Sequence, residues 1–168
     1  MEIPRELGMK LRHQTLKEEL QQTRPFTSVE QEAYLSILRT AAVLSHEAEQ
    51  LLKANGVTQA QYNILRILRG AGAEGLCRNE VASRLVTAMP DVTRLLDRME
   101  ASGWIERRRE REDRRVVSTV LTAAGRRVAD KLEGPLEKLH RGQFKGLEKG
   151  SLKRIVDILA EVRGLRRD

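Results

Sequence analysis

Apolar positions along most of the chain recur every three or four residues, the spacing that lines one face of a helix. The first strong pattern runs from about residue 29 to Ala54, with Leu35, Leu38, Ala42, Ser45, Ala48 and Leu52 near one face. Ser28-Val29-Glu30-Gln31 precedes it as a capping-box signature, and Asn55-Gly56 ends it. A helix of that length spans ~39 Å and is expected to run past a small core or into a partner. Before it, residues 9–22 predict a short polar helix closed by Thr-Arg-Pro-Phe at 23–26. After it, Thr58 caps a helix with Tyr62, Leu65 and Leu68 inward and Gly70 as its stop. Residues 78–86 form a short helix with Val81, Ala82 and Leu85 inward, followed by the tight connection Thr87-Ala88-Met89. The next helix opens with Pro90 in its first turn and Asp91 complementing the helix dipole. It carries the stripe Val92, Leu95, Leu96 and Met99 and stops at Gly103.

The period then changes. Trp104–Arg109 and Val116–Leu121 read as two strands rich in β-branched residues, joined by a charged turn. Residues 107–115 hold six arginines and three acids, a density that a plain solvated loop or a polyanion-binding tip could both explain. From Thr122 a further helix begins, with Gly134-Pro135 predicting a kink or break. Ser151 is expected to cap a last helix whose Leu152, Ile155, Val156, Leu159 and Val162 form one apolar stripe. The fold class that follows is mostly α (α+β), with a core that must be aliphatic because aromatics are only 3% of the chain.

Charge narrows the function. The 168 residues carry a net +7, and the excess is uneven: residues 1–77 balance nine basic against nine acidic side chains. Residues 78–127 hold twelve against eight, and 128–168 ten against seven. Such a distribution suits a nucleic-acid or anionic-surface binder. Cys77 is the only cysteine, so no internal disulfide can form and a reducing compartment is expected. No apolar run reaches the ~18–20 residues that cross a bilayer, and the N-terminus lacks a signal peptide's apolar segment. A cytoplasmic, nucleoid-associated location without membrane contact is the expectation.

Enzyme and cofactor signatures fail on context. Gly70-Ala71-Gly72-Ala73-Glu74-Gly75 matches GxGxxG by letter, but a helix and not a strand precedes it. His46-Glu47-Ala48-Glu49-Gln50 starts like HExxH, yet Gln50 stands where the second zinc ligand belongs. Three histidines and one cysteine, widely separated, give no metal site or catalytic triad, so no enzyme activity and no cofactor are expected.

Helix, short turn, helix and two-stranded hairpin over 78–121 is the order of a winged helix-turn-helix. With positions 92, 95, 96 and 99 inward, Asp91, Thr93, Arg94, Asp97 and Arg98 face outward or sideways, and Thr93 and Arg94 are the best placed to meet base edges. An arginine there can pair bidentately with guanine. The alternative for the same residues is pairing of Arg94 and Arg98 with Asp91, Asp97 or Glu100 on a solvated surface.

These residues resemble the multiple-antibiotic-resistance-regulator (MarR) family of bacterial transcription factors. The family signature is Asp-x-Arg in the wing, five residues, Leu/Ile-Thr, and a Gly two residues on. Here it reads Asp113-Arg114-Arg115, Val116–Val120, Leu121-Thr122 and Gly125. The likeness is strongest over 78–127 and extends loosely over 29–163. It implies an N-terminal helical extension at 1–28 and a MarR-type domain at 29–168. Within that domain, 29–57 and 126–168 would form the dimerisation helices and 58–125 the winged helix-turn-helix.

The resemblance also implies roles. Arg115 would enter the minor groove, Asp113 would brace the hairpin, and Arg114 with Arg107 to Arg111 would lie near phosphates. Asn79 and Arg84 would add backbone contacts, whereas Thr122 would cap the next helix. The partners implied are a double-stranded DNA operator, a second copy of the chain, and a small aromatic or anionic effector in a crevice lined by His46, Tyr62 and Arg66. For His46, a satisfied interface histidine is the competing reading. Urate-responsive members carry a tryptophan in their extension, whereas the tryptophan here is Trp104 in the first wing strand. Peroxide-sensing members place their reactive cysteine in the first family helix, which Cys77 is not. The function expected is a sequence-specific regulator, most simply a repressor. An architectural DNA binder without sequence preference, or a protein-interaction module with a basic hairpin, remain as alternatives.

Overall fold

The computed structural model describes residues 15–109 and 117–164. The chain divides into two compact units, Met1–Ser45 and His46–Asp168. In the first, α1 (Leu16–Glu19) is opened by a reciprocal capping box between Thr15 and Glu18. It ends at Leu20, where Gln21 takes a left-handed φ of 51°. The helix expected over 9–22 is therefore confined, among the described residues, to one turn. The long helix α2 (Val29–Ala54) has the predicted limits, and Ser28 Oγ accepts from Gln31 N at 3.2 Å. Gln31 reaches back to Thr27 N (2.8 Å), one residue before the expected partner. The part of α2 in the first unit leaves Val29, Tyr34, Ile37, Leu38 and Val43 exposed.

The second unit begins with the last turns of α2 and continues into α3 (Gln59–Ala71), capped by Thr58 through a box with Gln61. This helix runs through Gly70, the expected stop. The chain turns at Gly72, whose φ of 72° is open to a residue without a side chain. β1 (Leu76–Cys77) follows directly; two residues are too short to leave a periodic signal, and it was not expected. Next come α4 (Arg78–Ser83) and α5 (Val92–Ala101). α4 is shorter than the 78–86 expected, because the backbone leaves the helix at Arg84. Pro90 lies two residues before α5, just ahead of the cap Asp91, and not in the first turn. β2 (Ile105–Arg109) and β3 (Val117–Leu121) pair antiparallel from Ile105 opposite Leu121 to Arg109 opposite Val117. β1 pairs with the other side of β3, giving the order β1-β3-β2. As the middle strand, β3 buries Ser118, Thr119 and Val120 in succession instead of alternating.

α6 (Ala123–Gln143) opens from Thr122 as expected but passes through Gly134-Pro135 without a break. Pro135 is exposed while Leu132 and Leu136 on either side are buried, so the apolar stripe continues past the missing N–H. α7 (Lys149–Val162) begins at Glu148, and Ser151 sits inside it instead of capping it. Its residues Ile155, Val156, Ile158 and Val162 are exposed. The core of this unit has two clusters. One centres on Ile64, Leu65, Leu68, Val81, Leu95, Leu96, Met99 and Ile105, the other on Leu52, Val57, Tyr62, Leu132 and Leu136. Trp104 and Val128 pack against both. No helix among the described residues is long and apolar enough to cross a membrane.

Candidate nucleic-acid interface

α4, the turn and α5 make the helix-turn-helix, with β2 and β3 beside it. Burial sorts α5 as its period requires: Val92, Leu95, Leu96 and Met99 lie at 6% exposure or less, while Thr93, Arg94, Asp97 and Arg98 are exposed. Asp91 closes the helix start, its Oδ1 accepting from Arg94 N at 3.1 Å. Its other oxygen sits 3.1 Å from Arg94 Nε, and the Arg94 side chain is still 84% exposed. Such an exposed pair is weak and can be exchanged for a stronger anion at little cost.

On α4, Asn79 Oδ1 accepts from Arg78 Nη2 at 2.8 Å, and Arg78 Nη1 lies 3.5 Å from Thr93 Oγ1 on α5. Arg78 thus joins the group although sequence reasoning passed over it; its signal was its place beside Asn79 at the start of α4. The Glu80 carboxylate accepts from Cys77 N at 2.8 Å, and that bond holds it below the usual carboxylate range. Arg84 caps the end of α4 and is exposed. Asp113, Arg114 and Arg115, the expected wing-tip residues, lie outside the described residues.

One described residue of the hairpin has partners that were not expected. Arg107, placed by the family resemblance near phosphates, pairs with Asp97 (2.7 Å) and Glu100 (3.3 Å) of α5. Those acids are therefore committed to Arg107 and not to Arg98. Arg108 is exposed and pairs with Glu106 on its own strand.

The wing root explains the Leu-Thr-x-x-Gly part of the sequence. Thr122 Oγ1 bonds to the Gly103 and Trp104 carbonyls at 2.7 and 3.1 Å and accepts from Gly125 N at 3.0 Å. Thr122 is a helix cap that also ties α6 to the end of α5.

Behind the interface lies a cavity of about 870 Å³. Its walls include Leu52, Val57, Leu85, Met89 and Leu136, with Lys53, Arg66 and His140 as basic groups and Glu49 as an acid. Tyr62 and Arg66 are in the lining as expected; His46 is exposed on α2 and is not among the lining residues. Burial pushes the Tyr62 phenol up, partly offset by Arg66 and Arg69. Sequence reasoning missed Lys53 and His140. His140 follows Leu132 and Leu136 at i+4 steps on α6, a spacing that could have revealed it. Among the described residues, no group of three or more His, Cys, Asp or Glu could hold a metal.

Comparison with known proteins gives this arrangement a family. The sequence profile of the MarR family matches residues 57–117. A MarR transcription factor from Planctomyces limnophilus is 36% identical in its crystal structure, with a TM-score of 0.62 over 80% of this chain and 98% of that one. The chain belongs to the MarR family. Among curated members, the HTH-type transcriptional regulator TtmR of Methylorubrum extorquens is 34% identical over 106 residues. That match covers 63% of this chain and 53% of TtmR, so the chain spans about half the length of that relative. The MarR fold is also shared with the S. aureus MepR–DNA complex, at a TM-score of 0.70 and 21% identity over 83% of this chain and 98% of that one.

Proposed function

We propose that this MarR-family chain is a sequence-specific DNA-binding transcriptional regulator that acts as a homodimer, in the simplest case as a repressor, in the cytoplasm and on the nucleoid. The observation that carries the reading is the sorting of α5: its apolar stripe is buried, while Thr93, Arg94 and Arg98 stand exposed beside a basic hairpin. In this reading the N-terminal half of α5 enters the major groove and Arg94 exchanges Asp91 for a guanine edge. Asn79 and Arg84 contact phosphates; Asp113, Arg114 and Arg115 place the wing tip in the adjacent minor groove. Two-fold symmetry requires a pseudo-palindromic operator with half-sites ~34–36 Å apart.

The test is selection of duplexes from a random library followed by titration. The wild-type protein should enrich a palindrome, and Arg94→Ala should lose about 1–3 kcal/mol of discrimination at one base pair per half-site. Equal weakening on every duplex would instead favour an architectural binder. No DNA binding at modest salt would leave the protein-interaction reading.

A second part of the proposal rests on the cavity. An apolar wall with Lys53 and Arg66 on its rim suits a small aromatic anion. The turn residues Leu85, Val86, Thr87 and Met89 form one side of it, so an occupant touches the connection between α4 and α5. Benzoate and 4-hydroxybenzoate should raise the melting temperature in proportion to log concentration and lower DNA affinity, and Arg66→Ala should abolish both effects.

A further inference from the structure

Arg107 is an arginine in a basic wing that does not face outward. It stands third in β2, opposite Thr119 of β3. Its Nη2 lies 2.7 Å from Asp97 Oδ1 and its Nη1 3.3 Å from Glu100 Oε2. Its backbone N–H donates to Glu100 Oε1 at 3.0 Å. The side chain is only 29% exposed, against 61% for its neighbour Arg108. Asp97 and Glu100 are three residues apart and so share one face of α5. One guanidinium and one amide of β2 therefore grip two consecutive anchor points on the recognition helix.

Geometry and charge both give this grip a purpose. α5 ends at Ala101 and β2 starts at Ile105, with Gly103 between them at a φ of 70°. Trp104 and Ile105 anchor the start of β2 in the core, and the grip adds a hold at the third residue, where the strand leaves the core toward the wing tip. Asp97 and Glu100 would also be two uncompensated negative charges on the helix meant to approach a polyanion; Arg107 neutralises the face they share.

We propose that Arg107, with Asp97 and Glu100, is a positioning clamp that fixes the wing to the recognition helix so that both read DNA as one rigid body. Arg107 itself touches no phosphate. The proposal rests on the DNA-binding reading above. Two linked contacts reinforce each other only when their separation matches the target. The clamp sets that separation, so its loss costs selectivity more than charge-driven affinity.

The experiment uses the full chain as Arg107→Ala and as Asp97→Asn/Glu100→Gln. Each is titrated over a salt series on the duplex the wild type selects and on a scrambled duplex of equal composition. Amide hydrogen exchange of β2 and β3 is measured without DNA. The clamp requires the ratio of specific to scrambled affinity to fall on the order of tenfold in both variants. It also requires faster exchange in β2 and β3 in both, and in Arg107→Ala an unchanged slope of log affinity against log salt. The acid variant is decisive, because removing two negative charges and freeing one cation should otherwise strengthen binding everywhere. A slope reduced by about 1 in Arg107→Ala, with the ratio intact, makes Arg107 a phosphate contact and overturns the clamp. Wild-type selectivity and exchange in Asp97→Asn/Glu100→Gln overturn it too. If Arg107→Ala fails to fold, the acid variant alone decides. If the wild type selects no duplex, the DNA reading fails, and the exchange measurement still decides whether the clamp exists.

Discussion

A β-carbon on Gly125 would stand 2.0 Å from the Trp104 carbonyl oxygen and 2.9 Å from Leu121 Cδ1. The first turn of α6 can rest on the link into β2 only because this position has no side chain. Gly125→Ala must push backbone against backbone, and we expect a loss of about 1–3 kcal/mol in urea unfolding. Thr122→Ala removes the cap and both carbonyl bonds and should cost roughly 1–2 kcal/mol, while Thr122→Ser should recover most of it. An unchanged midpoint in both Gly125→Ala and Thr122→Ala would remove the wing root from the list of structural constraints. The cap was legible in the sequence, because a threonine before a helical pattern is a local signal. The reason for Gly125 was not: its neighbour is a carbonyl 21 residues earlier, and only the fold brings them together. The partners of Arg107 were hidden for the same reason. A run of arginines looks uniform in sequence, and only the partners on α5 separate the one that turns inward.

At the scale of elements, long periodic stretches were read correctly and their ends less so. α2 kept its limits because a local signal marks each end, the Ser28 cap at the start and Asn55-Gly56 at the stop. α4 and α7 shifted because a turn residue or an extra helical turn decides an end, and tertiary packing outweighs it. Gly134-Pro135 suggested a break in α6, but the buried pair Leu132 and Leu136 carries the helix across. α6 is also tied to α3 by Arg69, whose Nη1 lies 2.9 Å from Asp130 Oδ1 and 3.1 Å from Glu133 Oε2. The Arg69 hydrogen bond, and then its charge, hold Glu133 below its ordinary value, and Arg69 is held above its own. A lowered carboxylate contributes stability that is fully present above its unfolded pKa of about 4.3 and is lost as pH falls through the folded value. Arg69→Met should therefore destabilise the protein at neutral pH, and the gap to wild type should narrow as pH falls below about 4. Urea midpoints between pH 7 and 3 measure this; a gap constant with pH would show that Arg69 acts through packing alone.

At the scale of the whole molecule, the fold class and the winged helix-turn-helix were legible because the order of elements and the charge distribution are properties of the entire chain. The apolar stripe of α7 was legible as a period, and the structure leaves much of it unburied. Ile155, Val156, Ile158 and Val162 are 39–69% exposed, and water is a poor neighbour for four aliphatic side chains on one helix. In the homodimer we propose, a second copy covers them and two reading heads are joined at fixed distance. Ile155→Glu/Val162→Glu places charge on that stripe without touching the buried clusters, so helicity and the monomer fold should persist. Sedimentation should then show the wild type at twice the mass of one chain and the variant at one. Because a lone reading head meets one half-site, affinity for the palindrome should fall about 10²–10⁴-fold while affinity for a single half-site stays within a few fold. A variant that remains dimeric would take α7 out of the interface. A monomeric variant that still bound the palindrome at wild-type strength would show that the two half-sites are not read together.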